Sequence, residues 1–166
     1  MGEAWRVINS PDHAAARDAL ARCCGSRRWV DAMATHRPFH NLDAVVRAAA
    51  EVWDSLGKQD WLEAFSHHPR IGEKALREKF AATANWATGE QAGMTTASDD
   101  VIRALADGND RYFDKFGYIF IVCATGKSAP EMLDILRSRL PNDPETEIRV
   151  AAAEQKKITE IRLRKL

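Results

Sequence analysis

Apolar residues recur at three- and four-residue steps along most of this 166-residue chain. The clearest run is Leu42, Val45, Val46, Ala49, Val52, Trp53 and Leu56, which together line one face of an amphipathic helix. Asn41 stands where its N-cap belongs and Gly57 where it would end. An earlier helix is predicted through the alanine-rich stretch to Cys24, with Ser10-Pro11-Asp12 supplying an N-cap and a proline at the first helical position. Gly25 would close it in a left-handed conformation. A short apolar segment, Trp29 to Met33, follows, and "THRPFHN" breaks the chain at Pro38. Asp60 and Glu63 fit a capping box for a short helix. That helix must stop before Pro69, because a residue preceding proline is disfavoured in helical geometry.

Beyond Gly72 the pattern predicts a polar helix over about 73–82, a break at "NWATGEQAG", and a long helix over about 90–115 with Gly108 as its weak spot. "FGYIFIVCATG" has the β-branched and aromatic character of a strand, bounded by Gly117 and Gly126. No second segment offers it a partner, so it is predicted to be a buried extended connector. Ser128-Ala129-Pro130-Glu131 is a capping box with proline in the first turn of a helix to Leu140. Asp143-Pro144 starts a last helix that reaches the C-terminus. The expected architecture is all-α: one domain over residues 1–166, a bundle of seven to nine helices with one extended connector.

Composition narrows the function classes. Lys+Arg and Asp+Glu are equal at 24 each, so no global field draws the chain to nucleic acid or to an anionic membrane. The longest apolar run, around "YIFIVCA", is far shorter than the roughly 20 residues of a membrane span. The opening "MGEAWRVINS" lacks the basic and apolar regions of a secretory signal. Three cysteines, two of them adjacent, fit neither a disulfide framework nor a CxxC metal motif. A reduced, cytoplasmic protein is the expectation. The five tryptophans are scattered with no basic stripe, so they read as core rather than as a base-stacking platform.

The candidate chemistry sits in "SHHPRIGE", residues 66–73. Pro69 fixes the backbone after His68, Gly72 permits a sharp turn, and an imidazole titrates near neutrality, which suits proton transfer. The plainer reading is a helix-ending turn with solvated histidines. Glu90 and Gln91 fall in the first turn of the long helix, where Thr88 and Gln91 also fit a capping box. Arg162 shares a stripe with Ile158, Thr159 and Leu166; it is either a snorkelling surface residue or a guanidinium fork aimed at a carboxylate. Adjacent histidines point apart and H-E-x-x-H spacing is missing, so no metal site is expected at His67, His68 and Glu90.

Taken together, "RPF" at 37–39, "HPRIG" at 68–72, "EQAG" at 90–93, "YFDKFGYIFIVCATGKS" at 112–128, "RL" at 139–140 and "ITEIRLRKL" at 158–166 resemble the OHCU decarboxylase family, in order and spacing, across nearly the whole chain. The resemblance implies an all-α, cofactor-free and often dimeric carboxy-lyase of urate breakdown. Its small-molecule substrate would be 2-oxo-4-hydroxy-4-carboxy-5-ureidoimidazoline (OHCU), and its products S-allantoin and carbon dioxide. By motif position His68 and Glu90 would be the catalytic pair. Pro69, Gln91, Phe120, Ile121, Val122 and Arg162 would bind substrate, the connector residues through main-chain groups. Ala87 stands where the family commonly has a serine that also contacts substrate; Thr88, one residue on, can take over the cap, but its hydroxyl need not reach the same place, while the acid–base pair is kept. The competing class is a non-catalytic helical module that binds ureides or a partner protein. It predicts an open, convex surface around residue 68.

Overall fold

The computed structural model describes the backbone of residues 4–70, 72–84 and 92–166, and the side chains of those residues outside 79–98. Among the described residues the elements are a 3-10 helix, Ala4–Asn9, and eight α-helices: α1 (His13–Cys23), α2 (Arg27–Thr35), α3 (Leu42–Ser55), α4 (Lys58–Ser66), α5 (Glu73–Ala84), α6 (Ala92–Phe116), α7 (Ala129–Arg139) and α8 (Pro144–Arg164). No described residue is in a strand, in agreement with the all-α expectation. No helix among these residues is long and apolar enough to cross a membrane.

Several ends are set by the residues the pattern nominated. Asn41 caps α3, accepting from the Ala44 amide at 2.8 Å. Ser128 caps α7, accepting from the Glu131 amide at 3.3 Å while Glu131 accepts from the Ser128 amide at 3.4 Å. Others are displaced. The cap of α1 is Asp12, which accepts from the Ala15 amide at 3.2 Å, while Ser10 accepts from Asp12 itself. Gly57 precedes α4 rather than closing α3: its amide donates to Asp60, so Asp60 sits inside the first turn and not at its start. Glu63, the expected partner in that box, is drawn away to accept from the Arg27 amide at 2.7 Å.

The chain resolves into two compact units. The first holds residues 1–68, 121–123 and 148–166; the second holds 69–120 and 124–147. In the first, α1 packs on the 3-10 helix and on α2, and α2 on α3 and α4. Trp29, Leu20, Met33, Val45, Phe65 and Leu163 are buried at its core. Two buried indoles also satisfy backbone carbonyls: Trp29 Nε1 donates to Ala49 O at 3.2 Å, and Trp53 Nε1 to Ala152 O at 2.9 Å, which ties α3 to α8. The "RPF" stretch acts here as a fastening. Arg37 Nη1 donates to the carbonyls of Ile8 and Ser10, and Asn9 exchanges two 2.8 Å bonds with the Phe39 backbone.

In the second unit α6 packs on α5 and α7. Gly108, the expected weak spot, faces α7 closely: a Cβ there would lie 2.5 Å from Leu136 Cδ2, so the leucine side chain would have to move to admit one. Arg70 of the histidine motif reaches α6, 2.9 Å from Asp110 and with its guanidinium 4.4 Å from the Phe113 ring centre. A buried polar cluster joins α6, α7 and the first turn of α8. Glu147 accepts from Arg139 Nη2 at 2.5 Å, Arg139 Nε at 2.9 Å, Asn142 Nδ2 at 3.1 Å and the Tyr112 hydroxyl. Arg139 is 5% exposed and Glu147 0%. Burial holds the Tyr112 phenol well above its ordinary pKa, and the bond to Glu147 adds to this. The Arg139 guanidinium also lies 4.6 Å from the Phe120 ring centre, which anchors the start of the connector.

Candidate active site

α4 ends where the proline rule predicted. His67 is its C-cap, and the His68 amide donates to Phe65 O at 3.1 Å as the last turn tightens. Gly25 makes this turn possible in a way the pattern did not foresee. Its φ is not positive, so it closes no left-handed cap, and Cys24 ends α1 in an extended conformation. Instead a Cβ at position 25 would lie 2.5 Å from His67 Cγ and 2.7 Å from His67 Cβ. The missing side chain is the room that the histidine turn occupies.

His67 is exposed, whereas His68 is half-buried. His68 Nε2 lies 2.5 Å from Oε1 of Gln155 on α8. Gln155 is 1% exposed, and its Nε2 donates to Thr159 Oγ1 one turn later at 3.1 Å. Burial pushes the His68 pKa below its ordinary value; the bond to Gln155 opposes this, and the positive charges of Arg162 and His67 reinforce it. The imidazole is therefore biased toward its neutral form, in which one nitrogen carries a proton and the other a lone pair. Arg162 is exposed, yet its charge is felt at His68, Cys23 and Cys24. Burial pushes both thiols up to about 11, so neither is a thiolate near neutral pH.

The connector meets the same helix one residue earlier. The Cys123 amide donates to Glu154 Oε1 at 3.1 Å, and Glu154 is in turn paired with Lys157. Ile121 is buried and Val122 half-buried beside that anchor, both outside any regular element as expected. Consecutive residues of α8, Glu154 and Gln155, thus hold the connector and the imidazole.

His68, Ile121, Val122 and Arg162 belong to the first unit, where His68 meets α8 at Gln155 and the connector meets it at Glu154 through Cys123. Pro69 and Phe120 belong to the second unit, where Phe120 lies under Arg139. Glu90 and Gln91, with Ala87 and Thr88, lie outside the described residues. The sequence reading missed Gln155, although it stands four residues before Thr159 and seven before Arg162 on one stripe of α8. That register was the available signal.

The fold is all-α and carries a half-buried imidazole biased toward its neutral form at a proline-terminated helix end, with the charge of the exposed Arg162 felt there. By comparison with known proteins, the chain belongs to the OHCU decarboxylase family, whose model matches residues 9–164. It is 40% identical over 146 residues to the uric acid degradation bifunctional protein TTL of Arabidopsis thaliana, covering 87% of this chain and 45% of that protein. It is 24% identical to the 2-oxo-4-hydroxy-4-carboxy-5-ureidoimidazoline decarboxylase of Haloferax volcanii, covering 94% of this chain and 91% of that one. A crystal structure of an OHCU decarboxylase in the presence of (S)-allantoin superposes with a TM-score of 0.69 at 36% identity, covering 89% of this chain and 96% of that one. The chain spans less than half the length of the Arabidopsis protein, and 27% and 31% of two Bacillus bifunctional relatives.

Proposed function

We propose that this chain catalyses the stereoselective, cofactor-independent decarboxylation of OHCU to S-allantoin and carbon dioxide in urate degradation, acting as one domain over residues 1–166. The substrate's carboxylate and hydroxyl share a ring carbon. In an imidazoline the adjacent ring carbon, which bears the ureido group, is doubly bonded to nitrogen. When the bond to the carboxylate breaks, its electron pair flows toward that C=N group, whose nitrogen takes up a proton from solvent; carbon dioxide leaves, and an enol remains. The enol loses its hydroxyl proton, becoming the allantoin carbonyl, and the neighbouring carbon gains a proton on one face.

His68 takes the hydroxyl proton and returns it to carbon, with Glu90 stabilising the imidazolium that forms in between. Arg162 anchors the carboxylate before it departs. Gln91 binds the ureido or ring amide groups, main-chain groups of Phe120, Ile121 and Val122 bind ring oxygens, and Pro69 stiffens the turn. A homodimer in the cytoplasm is part of this reading. The three buried free cysteines agree with a reducing compartment.

The observation that carries the proposal is the state of His68: half-buried, bonded to Gln155 and biased toward the neutral imidazole needed to accept a proton near pH 7. A binding module with an open convex face at this position would leave the ring solvated. The test follows the ultraviolet absorbance of freshly generated OHCU. Wild-type protein should accelerate its loss, and His68→Asn, which keeps the size and polarity of the side chain, should leave only the buffer rate. Equal rates for the two proteins would refute the role given to His68.

A further inference from the structure

The bond between His68 and Gln155 has a direction, and that direction selects which imidazole nitrogen does chemistry. Gln155 is almost fully buried, so both ends of its carboxamide need partners inside the protein. Its nitrogen can only donate, and it lies 3.1 Å from Thr159 Oγ1. A hydroxyl oxygen has lone pairs to accept there, and Thr159 Oγ1 does so. That leaves the Gln155 carbonyl facing His68 Nε2 at 2.5 Å, and a carbonyl can only accept. The donors of this thread point inward from His68 to Gln155 to Thr159, an arrangement in which each bond polarises the next.

We infer that Gln155 is a positioning residue whose buried carboxamide, oriented by Thr159, holds His68 in the Nε2–H tautomer and leaves Nδ1 as the nitrogen that exchanges protons with substrate. With Nε2–H committed to the carbonyl, Nδ1 on the other side of the ring keeps a free lone pair. That nitrogen accepts the hydroxyl proton and then gives it to carbon. When the ring is protonated in passing, the Gln155 carbonyl stays bonded to Nε2–H, so the ring need not turn between the two transfers. The kinetic part of this inference rests on the decarboxylase reading; the tautomer does not.

The experiment therefore has two arms. Nitrogen-15 NMR of histidine-labelled, substrate-free protein, at a pH where His68 is neutral, should show a protonated Nε2 and a bare Nδ1, the His68 signals being assigned by their loss in His68→Asn. The opposite tautomer, or an even mixture, would overturn the inference whether or not the protein is active. In the second arm Gln155→Met removes the acceptor but keeps the chain length. It should mix the tautomers and lower kcat about 10- to 100-fold, the loss typical of partners that orient a functional histidine, with KM within about twofold. Thr159→Val should move tautomer and kcat the same way and Thr159→Ser should restore both, which keeps the test open if Gln155→Met does not fold. Unchanged kcat in folded Gln155→Met or Thr159→Val would reduce Gln155 to a packing residue and refute its positioning role. Absence of turnover in the wild type would refute the decarboxylase reading and leave the NMR arm to decide the tautomer.

Discussion

Glu147→Gln is the perturbation whose cost follows most directly from the geometry. The carboxylate is fully buried and receives Arg139 Nε and Nη2, Asn142 Nδ2 and the Tyr112 hydroxyl. The amide keeps the shape, removes the charge, and turns one acceptor into a donor aimed at other donors. A guanidinium only 5% exposed then stands without its carboxylate. Removing one partner of a buried ion pair costs about 3–5 kcal/mol. For a chain of this length, 1 kcal/mol moves the melting midpoint by about 2–4 °C, so a drop of about 6–20 °C is expected. Urea unfolding at pH 7, followed by circular dichroism and tryptophan fluorescence, should show a lower midpoint with an unchanged slope. The double variant Arg139→Met/Glu147→Leu should recover much of the loss, because no buried charge is left unpaired. A Glu147→Gln protein within about 0.5 kcal/mol of wild type, the range of ordinary surface changes, would refute the reasoning.

Three further outcomes are expected. Gly25→Ala places a methyl 2.5 Å from His67 Cγ and 2.7 Å from its Cβ, so the backbone of the turn must shift and not merely the ring; the loss should be about 1–3 kcal/mol in urea unfolding, with slower turnover, and wild-type stability would contradict it. His68 is held below its ordinary pKa, so on acidification the unfolded chain takes up the proton first; the stability this group contributes is whole above about pH 6.5 and falls as pH drops from there toward the lower folded value. Unfolding free energies between pH 8 and pH 5, roughly a unit and a half either side of that value, should slope less in His68→Asn, and identical slopes would exclude the effect. Arg162→Gln removes a positive charge that disfavours the imidazolium, so the His68 pKa should rise in an NMR titration; a fall would contradict the electrostatics.

What could be read ahead of the structure divides by range. Asn41 and Ser128 announce helix starts because a cap acts within three residues of itself, and the connector announces itself through continuous apolar character without a partner. Local chemistry misled where two short-range options competed. Asp12 took the cap offered by Ser10, Gly57 belonged to the following helix rather than the preceding one, and Gly25 served contact with His67 rather than a turn. Of the candidate site, the histidine turn was visible as a motif. Its support was not, because Gln155 meets His68 across 87 positions of chain. The same holds for Tyr112 and Glu147, 35 positions apart, whose burial no periodicity of α6 or α8 reveals. Glu90 and Gln91 remain assignments by motif alone.

The central claim, that a neutral imidazole at His68 directs a decarboxylation and returns a proton to one face of the product, is tested most directly by the handedness of that product. Circular dichroism of freshly generated OHCU, recorded over time with and without the wild-type protein, should develop the band of S-allantoin only when protein is present. Product that stays racemic and forms at the buffer rate would contradict it.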